Sequence, residues 1–285
     1  MRGDKPGSGE IARSGVGRQV MGFRQGERSG ALPGPFGPCC SLAVVLLELN
    51  IKKDTLPARR RPRMKFLSAR LVSGVLLMAT LAACGFHEDF ESFPEEGGWE
   101  DGSIHGRWVS IFDGLGSNGI EIDGTKVHTQ LPMASSSPDE THASLIATLP
   151  VFGNLTLNLR VKTVEQLRTP VPNPWETAWV LWHFTDDDHA YYFTLKTNGW
   201  ELGKLDPNYP GGQRFLATGP EPKVTLGSWQ EIRVDQSGPV IAVWVAGDPV
   251  VTFTDEETPY TEGSIGLYNE DAHVHFDDIS VRAIP

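Results

Sequence analysis

Cysteine is scarce in this chain of 285 residues, which has only three. Cys39 and Cys40 are adjacent, and no cysteine follows Cys84. The long carboxyl-terminal part therefore has neither a disulfide framework nor a thiol nucleophile. This excludes the disulfide-rich scaffolds and the cysteine-dependent enzymes as classes for that part of the chain.

Basic residues are also scarce from Cys84 onward, where eleven Lys or Arg stand against thirty-one Asp or Glu. The resulting net charge of about −20 would repel a phosphate backbone, so we expect no nucleic-acid partner. Residues 1–63 have the opposite balance, with twelve basic and five acidic residues and many Gly and Pro. That segment is typical of a disordered region, or of a reading frame extended upstream of its true start.

Long hydrophobic runs are missing too, and the two longest are too short to span a bilayer. The SLAVVLLEL run at 41–49 has nine residues and is the main objection to discarding the upstream part. The second run, at 71–83, follows a short basic region and ends in LAAC at Cys84. This order is typical of a bacterial lipoprotein signal, the alternative being an ordinary buried helix.

We therefore interpret Met64 as the true start, 64–83 as the signal peptide and Cys84 as the lipidated residue. Diacylglycerol on the thiol with an acyl chain on the amino group makes a stable anchor, because more than one chain inserts. The predicted location is the bacterial cell envelope, lipid-anchored and extracytoplasmic, on the periplasmic face or at the cell surface.

Helical periodicity is the last absence, since apolar residues after Cys84 alternate with a period of two. In LTLNLRVKT, Leu155 to Val161 place every second side chain on one face. Roughly twelve such runs, separated by turn residues, predict one all-β sandwich. We expect 84–104 to hold a tether and a first strand near 88–93, and 105–285 to hold the rest of the domain.

Three segments carry a resemblance to known domains: YYFTLKTNGWELGKLDP, SWQEIRVDQSGPVIAVWVAGDPVVTFTD and GSIGLYNEDAHVHFDDISV. They resemble the second half of concanavalin A-like jelly rolls, and the nearest families are the laminin-G-like domains and the 3-keto-disaccharide hydrolase domain family. The resemblance covers about residues 88–285. It implies a jelly-roll sandwich of two antiparallel sheets, with the glycan on the concave sheet face. The same scaffold hosts lectins, hydrolases, lyases and adhesion modules, so it fixes fold better than function.

Two predicted hairpins between 175 and 204 arrange the aromatic residues of this region. Asn198-Gly199 predicts a type I′ turn that sets Lys196 opposite Glu201, and the TDDDHA loop sets His183 opposite Tyr192. One face then collects Trp179, His183, Tyr192, Lys196 and Glu201. The other face collects core residues: Ala178, Val180, Trp182, Phe184, Tyr191, Phe193, Leu195 and Leu202.

The first of these faces predicts a carbohydrate site, because sugars present C–H patches to aromatic rings and hydroxyl edges to polar groups. Trp175, Glu176, Tyr209 and Arg214, on adjoining loops and the next strand, are predicted to line its rim. The competing interpretation is structural. Lys196 and Glu201 then form only a cross-strand ion pair, and His183 and Tyr192 only hydrogen-bond beneath a loop.

Catalytic motifs are weak in this sequence. Glu121 and Asp123 alternate as in laminarinase-type glycosidases, but the third carboxylate is missing and Asp123-Gly124 reads as a turn. Glu201 paired with Glu176, Asp187 or Glu270 would suit a glycosidase, depending on the carboxyl separation. His183 with Tyr192 would suit a lyase. Glu201 and His183 are thus the candidate catalytic residues.

A metal is implied by the resemblance, because many such jelly rolls bind structural Ca²⁺ between the first and last strands. The apolar residues of VHFDDISV change parity, which predicts a β-bulge at Asp277-Asp278. Asp277 with Asp89 or Glu91 would supply hard oxygen ligands. The alternative is that the bulge only bends the strand.

These observations predict a lipid-anchored domain that binds a polysaccharide or oligosaccharide. A glycoside hydrolase of the 3-keto-disaccharide type is the alternative, and a structural module of the cell envelope is the second alternative.

Overall fold

The computed structural model describes residues 85–94 and 98–285. The predicted upstream segment 1–63, the signal peptide 64–83 and Cys84 lie outside the described residues. No helix in the described part is long and apolar enough to cross a membrane. The described residues form β-strands and one short 3₁₀ turn at Pro210–Gly212. The predicted all-β jelly-roll sandwich is confirmed.

The described residues hold sixteen strands. In chain order they are β1 (Phe86–Glu88), β2 (Ile104–His105), β3 (Trp108–Phe112), β4 (Ser117–Asp123), β5 (Thr125–Leu131), β6 (Ala143–Thr148), β7 (Leu155–Gln166), β8 (Ala178–Asp186), β9 (His189–Lys196), β10 (Gly199–Leu205), β11 (Gln213–Gly219), β12 (Gln230–Ser237), β13 (Val240–Val245), β14 (Asp248–Thr254), β15 (Ser264–Glu270) and β16 (Ala272–Ala283). The first strand therefore lies at Phe86–Glu88 and overlaps the predicted 88–93 at one residue only, because turns follow it.

Two antiparallel sheets pack face to face. The first sheet has the order β14-β13-β12-β7-β16-β5-β4, with β1 also paired to β16. The second sheet has the order β11-β10-β9-β8-β15-β6-β3-β2. Consecutive strands β8, β9 and β10 are neighbours in the second sheet, so the two predicted hairpins are present.

The main core lies between the sheets and draws on alternate residues of both. Leu155, Leu157, Leu159 and Val161 are buried on the inner face of β7, as their alternation predicts. The second sheet contributes the predicted core residues Ala178, Val180, Trp182, Tyr191, Phe193, Leu195 and Leu202. Phe184, predicted with them, packs on the outer face of that sheet, because the register of β8 shifts after Trp182. Full burial of each large apolar side chain stabilises the fold by roughly 1.5–3 kcal/mol. Strand period alone thus identified most of this core.

The register of the β9–β10 hairpin differs from the prediction. Lys196 pairs with Gly199, so the turn is Thr197-Asn198, and Glu201 lies opposite Thr194 rather than opposite Lys196. Gly199 is required here by close approach: a Cβ on it would lie 2.0 Å from the Gly219 carbonyl oxygen on β11. Because the error is two residues, every side chain keeps its predicted side of the sheet.

The predicted bulge in β16 is confirmed. Pairing with β7 shifts between Asp277 and Ser280, and Asp278 has a φ of 50°. Val274 and Phe276 before the bulge and Ile279 and Val281 after it are all buried. The extra residue therefore restores the inward direction of the apolar residues after it.

Gly263 lies just before β15, where that strand crosses the backbone of His183. A Cβ on Gly263 would lie 2.3 Å from the His183 carbonyl carbon. We expect Gly263→Ala to lower the free energy of unfolding by about 1–3 kcal/mol, as overpacking against backbone does. Gly98→Ala is the control, because its Cβ would meet only the Asn118 carbonyl oxygen at 3.8 Å. Urea unfolding of both variants tests this, and equal stabilities would contradict it.

Candidate functional site

A second hydrophobic cluster covers the outer face of the second sheet. Its buried members are Val109, Leu145, Ala147, Trp179, Leu181, Phe184, Ala190, Tyr192, Leu205 and Tyr268. A small apolar cavity lies against this face, lined by Leu145, Trp179, Leu181, Phe184, Tyr192, Leu205 and Tyr268. Trp179 and Tyr192 are fully buried, so this face is a second core layer rather than an open aromatic platform.

Five side chains at the centre of this face, Glu201, Tyr192, Trp179, Tyr268 and Glu270, form what we call the Trp179 row. Backbone register explains it, since Glu201 lies opposite Thr194, Thr194 opposite Trp179, and Trp179 opposite Tyr268. Residues in lateral register across a sheet share one face. Strand pairing therefore brings together residues that are up to 91 positions apart in the sequence.

The row is symmetric in its contacts. The Trp179 ring has its centroid 4.8 Å from that of Tyr192 and 5.6 Å from that of Tyr268. The Tyr192 hydroxyl donates to Glu201 Oε1 at 2.8 Å, and the Tyr268 hydroxyl donates to Glu270 Oε1 at 2.8 Å. Each tyrosine thus packs its ring on the tryptophan and fixes a carboxyl group at the outer end.

Gly203 makes room for one side of the row. A Cβ at this position would lie 2.1 Å from the Tyr192 ring, which therefore rests directly on the backbone of β10. Glu201, two residues earlier on the same face, is then within reach of the Tyr192 hydroxyl. The absence of a side chain at Gly203 is what allows this ring position.

Glu201 is ion-paired. Lys196 Nζ lies 2.6 Å from Glu201 Oε2, while Gln213 Nε2 donates to the Tyr192 hydroxyl. The predicted contact between Lys196 and Glu201 is therefore present, although the two residues are diagonal neighbours rather than directly opposite. Each carboxyl oxygen of Glu201 therefore has a defined partner.

Glu270 has a different environment. Its pKa is raised to about 7, chiefly by burial and also by the nearby Asp271 and Glu176, against the lowering effect of the hydrogen bond from Tyr268. A carboxyl group whose pKa lies near neutrality exchanges protons readily at physiological pH. The row thus places an ion-paired carboxylate at one end and a readily protonated carboxyl group at the other.

Beside Glu270 lies a buried polar network around Arg168. Its guanidinium bonds Glu176 and lies 2.6 Å from Asp271 Oδ2, and Glu176 also accepts from the Asn173 backbone N–H at 2.9 Å. Glu176 is fully buried. Because all its contacts are internal, this predicted rim residue fixes the loop before β8. Trp175 lies next to it, half-buried against the second cluster, and its carbonyl accepts from Trp179 Nε1 at 2.8 Å.

The structure places His183 away from the Trp179 row. His183 has a φ of 51° in an irregular part of β8. The predicted pairing of His183 with Tyr192 is wrong, because Tyr192 pairs with Leu181. His183 Nδ1 lies 2.9 Å from the Tyr260 carbonyl and its Nε2 3.0 Å from the Gly153 carbonyl. Burial lowers its pKa. His183 links two loops, and the bulge that turns it could not be read from alternation alone.

Arg214 and Tyr209 also lie apart from the row. Arg214 pairs with Lys204, on the sheet face opposite to that of Glu201. Its guanidinium bonds Asp255 at 2.9 Å and lies over the Tyr209 ring. These two predicted rim residues therefore belong to a polar cluster at the loop after β14.

Tyr268 and Glu270 are the members of the row that sequence reasoning missed or weighed only as partners. The segment SIGLYNE carries the signal, since Tyr268 and Glu270 alternate with Leu267 and Asn269. Leu267 belongs to the main core, so its neighbours must face outward. Applying the period-two rule to β15 would have found them.

The predicted calcium ligands each accept a hydrogen bond from a protein group. Asp277 Oδ2 accepts from Arg160 at 2.6 Å, whose positive charge competes with a cation. Glu91 Oε1 accepts from the Lys126 backbone N–H, and Asp89 Oδ1 from the Glu91 backbone N–H. These contacts give no support to calcium binding, which stays a prediction. Elsewhere in the described part, Glu121, His273 and His275 bring three donor atoms together.

We expect the titration of Glu270 to appear in the stability of the protein. Its raised pKa means that between about pH 4.5 and 7 the folded state holds the proton that the unfolded state releases. The free energy of unfolding should therefore fall by about 3 kcal/mol as the pH rises through this window. Glu270→Gln lacks the titration, so it should gain stability over the unmodified protein by that amount.

Urea unfolding at about pH 5 and pH 8 measures this difference. Glu256→Gln changes an exposed carboxyl group and is the control, because it keeps Glu270 and should follow the stability of the unmodified protein at both pH values. If Glu270→Gln and the unmodified protein keep a constant difference across the window, the raised pKa is refuted.

Comparison with known proteins found similar solved structures and a matching family. Among solved structures, the chain is similar to the carbohydrate-binding module CBM66 from Bacillus subtilis, with 13% identity and a TM-score of 0.46 over 62% of this chain and 95% of that one. It is also similar to a galectin-like protein of unknown function from Bacillus subtilis, with 12% identity and a TM-score of 0.44 over 61% of this chain and 88% of that one. The apo Crh5 transglycosylase has 12% identity and a TM-score of 0.45 over 72% of this chain and 86% of that one. Among curated protein sequences, none matches this chain.

A family model described as the 3-keto-alpha-glucoside-1,2-lyase-like domain matches residues 96–282. This is most of the described part, and it confirms the resemblance seen in the three sequence segments. The chain belongs to the 3-keto-alpha-glucoside-1,2-lyase-like domain family.

Proposed function

We propose that this protein binds a carbohydrate on the outer face of the second sheet, over the Trp179 row. One observation carries the proposal: the Trp179 ring packs between two tyrosine rings, and each tyrosine hydroxyl fixes a carboxyl group at the outer end. Aromatic rings suit the C–H faces of a sugar, and fixed carboxyl groups accept from its hydroxyls. The family membership supports a carbohydrate ligand.

Access to the row requires a local opening. Glu201 and Glu270 are each only 4% exposed, and Trp179 is fully buried. The half-buried Trp175 and Lys196 mark the accessible margin. A ligand would therefore enter beside the loop that carries Trp175 and displace packing from the face. The strong negative charge of this part of the chain favours neutral or cationic glycans over anionic ones.

A second candidate function is cleavage of a glycoside, and the pKa of Glu270 favours it. A carboxyl group with a pKa of about 7 is suited to donate a proton to a leaving oxygen and to take one back. Glu201, paired with Lys196, is suited to stabilise positive charge on the sugar. Under this proposal Glu270 replaces His183 as the acid–base group.

One experiment tests both functions. The purified protein is incubated with a panel of neutral oligosaccharides and polysaccharides, with and without Ca²⁺; binding is measured by calorimetry and products by mass spectrometry. We expect one glycan class to bind. Tyr268→Phe should weaken binding about tenfold, because it removes the hydroxyl that holds Glu270 but keeps the ring.

Trp244→Phe is the matched control, since Trp244 is a half-buried aromatic residue of β13 outside the second cluster. Loss of binding in Trp244→Phe with none in Tyr268→Phe would refute the proposed face. Products that disappear in Glu270→Gln while binding persists would establish cleavage. Binding without products would indicate a binding module. The absence of both binding and products would favour a structural module of the envelope.

We also propose that Cys84 carries a lipid anchor at the bacterial cell envelope. The LAAC sequence supports it. Because β1 begins at Phe86, two residues after Cys84, the span between a lipidated Cys84 and the sandwich would be at most about 7 Å.

Expression in a bacterium tests the anchor. We expect the protein in the membrane fraction, with mass spectrometry showing a lipidated amino-terminal Cys84, and Cys84→Ser in the soluble or unprocessed fraction. The proposal is contradicted if the unmodified protein carries no lipid on Cys84 and Cys84→Ser associates with the membrane to the same extent.

A further inference from the structure

The outer face of the first sheet carries a cluster of metal-ligating side chains. His273 and His275 are two residues apart on β16, so both rings project from the same side of the strand. Glu121 reaches them from β4, across the intervening strand β5. His275 is 4% exposed, whereas Glu121 is accessible to solvent. The cluster is distant in the fold from the Trp179 row, which lies on the other sheet.

The separations of the three donor atoms are those of a coordination shell. Nε2 of His273 and Nε2 of His275 are 3.2 Å apart. Glu121 Oε2 lies 3.5 Å from the first nitrogen and 3.4 Å from the second. Ligand atoms at about 2.0–2.2 Å from a tetrahedral zinc ion lie about 3.3–3.6 Å from one another. The three atoms therefore form one face of such a tetrahedron.

Surrounding contacts orient the ligands. His275 Nδ1 lies 3.2 Å from Asp123 Oδ2, and Asp123 is held in turn by Lys162 Nζ at 2.8 Å. A carboxylate on the second ring nitrogen fixes the tautomer that leaves Nε2 free for a metal. Thr129 Oγ1 lies 3.1 Å from His273 Nε2, a contact that a bound metal would replace.

Without a metal, Nε2 of His273 and Nε2 of His275 share one hydrogen bond, in which the protonated nitrogen donates to the other. A cation satisfies both nitrogens and the carboxylate at once.

We propose that Glu121, His273 and His275 bind a zinc ion on the outer face of the first sheet. Three protein ligands leave a fourth position for water or a small anion. The ion would join the edge strand β4 to β16 and so fasten the edge of the sheet. Two imidazoles and one carboxylate also bind Co²⁺, which serves as a spectroscopic probe.

Equilibrium dialysis of the purified chain against Zn²⁺ tests the proposal, with bound metal measured by elemental analysis. We expect one ion per chain and a rise in melting temperature on binding. Glu121→Gln should lose at least tenfold in affinity, as should His273→Gln, and Asp123→Asn should lose less. Glu121 is accessible to solvent, so its variant keeps the fold, which its unchanged melting temperature without metal would verify.

Two controls exclude other ligands. His189→Gln alters a half-exposed histidine that also contacts a carboxylate, that of Asp186, and should bind Zn²⁺ like the unmodified protein. Absorption of the Co²⁺-loaded protein should show ligand-field bands without thiolate charge transfer, which excludes the three cysteines. Thiolate bands would overturn the proposal, and so would a Zn²⁺ affinity in Glu121→Gln and His273→Gln equal to that of the unmodified protein.

Discussion

Strands β7 and β16 hydrogen-bond to each other along much of their length, and this pairing sets the direction of the side chains around them. Leu157 and Leu159 on β7 and Val274 and Phe276 on β16 all point into the sandwich. Because of the bulge after Asp277, the apolar side chains in the second half of β16 also point into the sandwich. Both halves of the strand therefore contribute to the core, and the second half pairs with β1. The outward residues of its first half are left to form the histidine cluster.

The second sheet differs from the first in that it carries a buried apolar cluster on each of its two faces. Its inner face fills the main core with Trp182, Tyr191 and Phe193, while its outer face carries Trp179 and Tyr192. Rings on adjacent positions of one strand thus belong to different layers. On the outer layer the polar ends of the tyrosines must find partners, since a buried hydroxyl without one is costly. Glu201 and Glu270 meet that need, which gives this layer the polar groups that a ligand would use.

Predictions from sequence succeeded where they relied on period and failed where they relied on exact pairing. The faces of β8, β9 and β10 up to Trp182 followed from alternation. The predicted hairpin register was wrong by two residues. Gly199 pairs with Lys196 instead of lying in the turn, and its lack of a side chain allows close contact with Gly219 on β11. His183 was assigned to the wrong face because a bulge with positive φ reverses the direction of its side chain. Such local irregularities depend on contacts with distant segments.

The sequence by itself determined the all-β class, the core face of most strands, the bulge in β16 and the family resemblance, because a strand's side-chain period is a local property. Only the tertiary structure decided which of these faces meet. Tyr268 and Glu270 join Trp179, and Glu121 joins His273 and His275, through strand pairing across long separations in the chain. Register between distant strands is set by packing of the whole sheet, so it is absent from any short stretch of sequence.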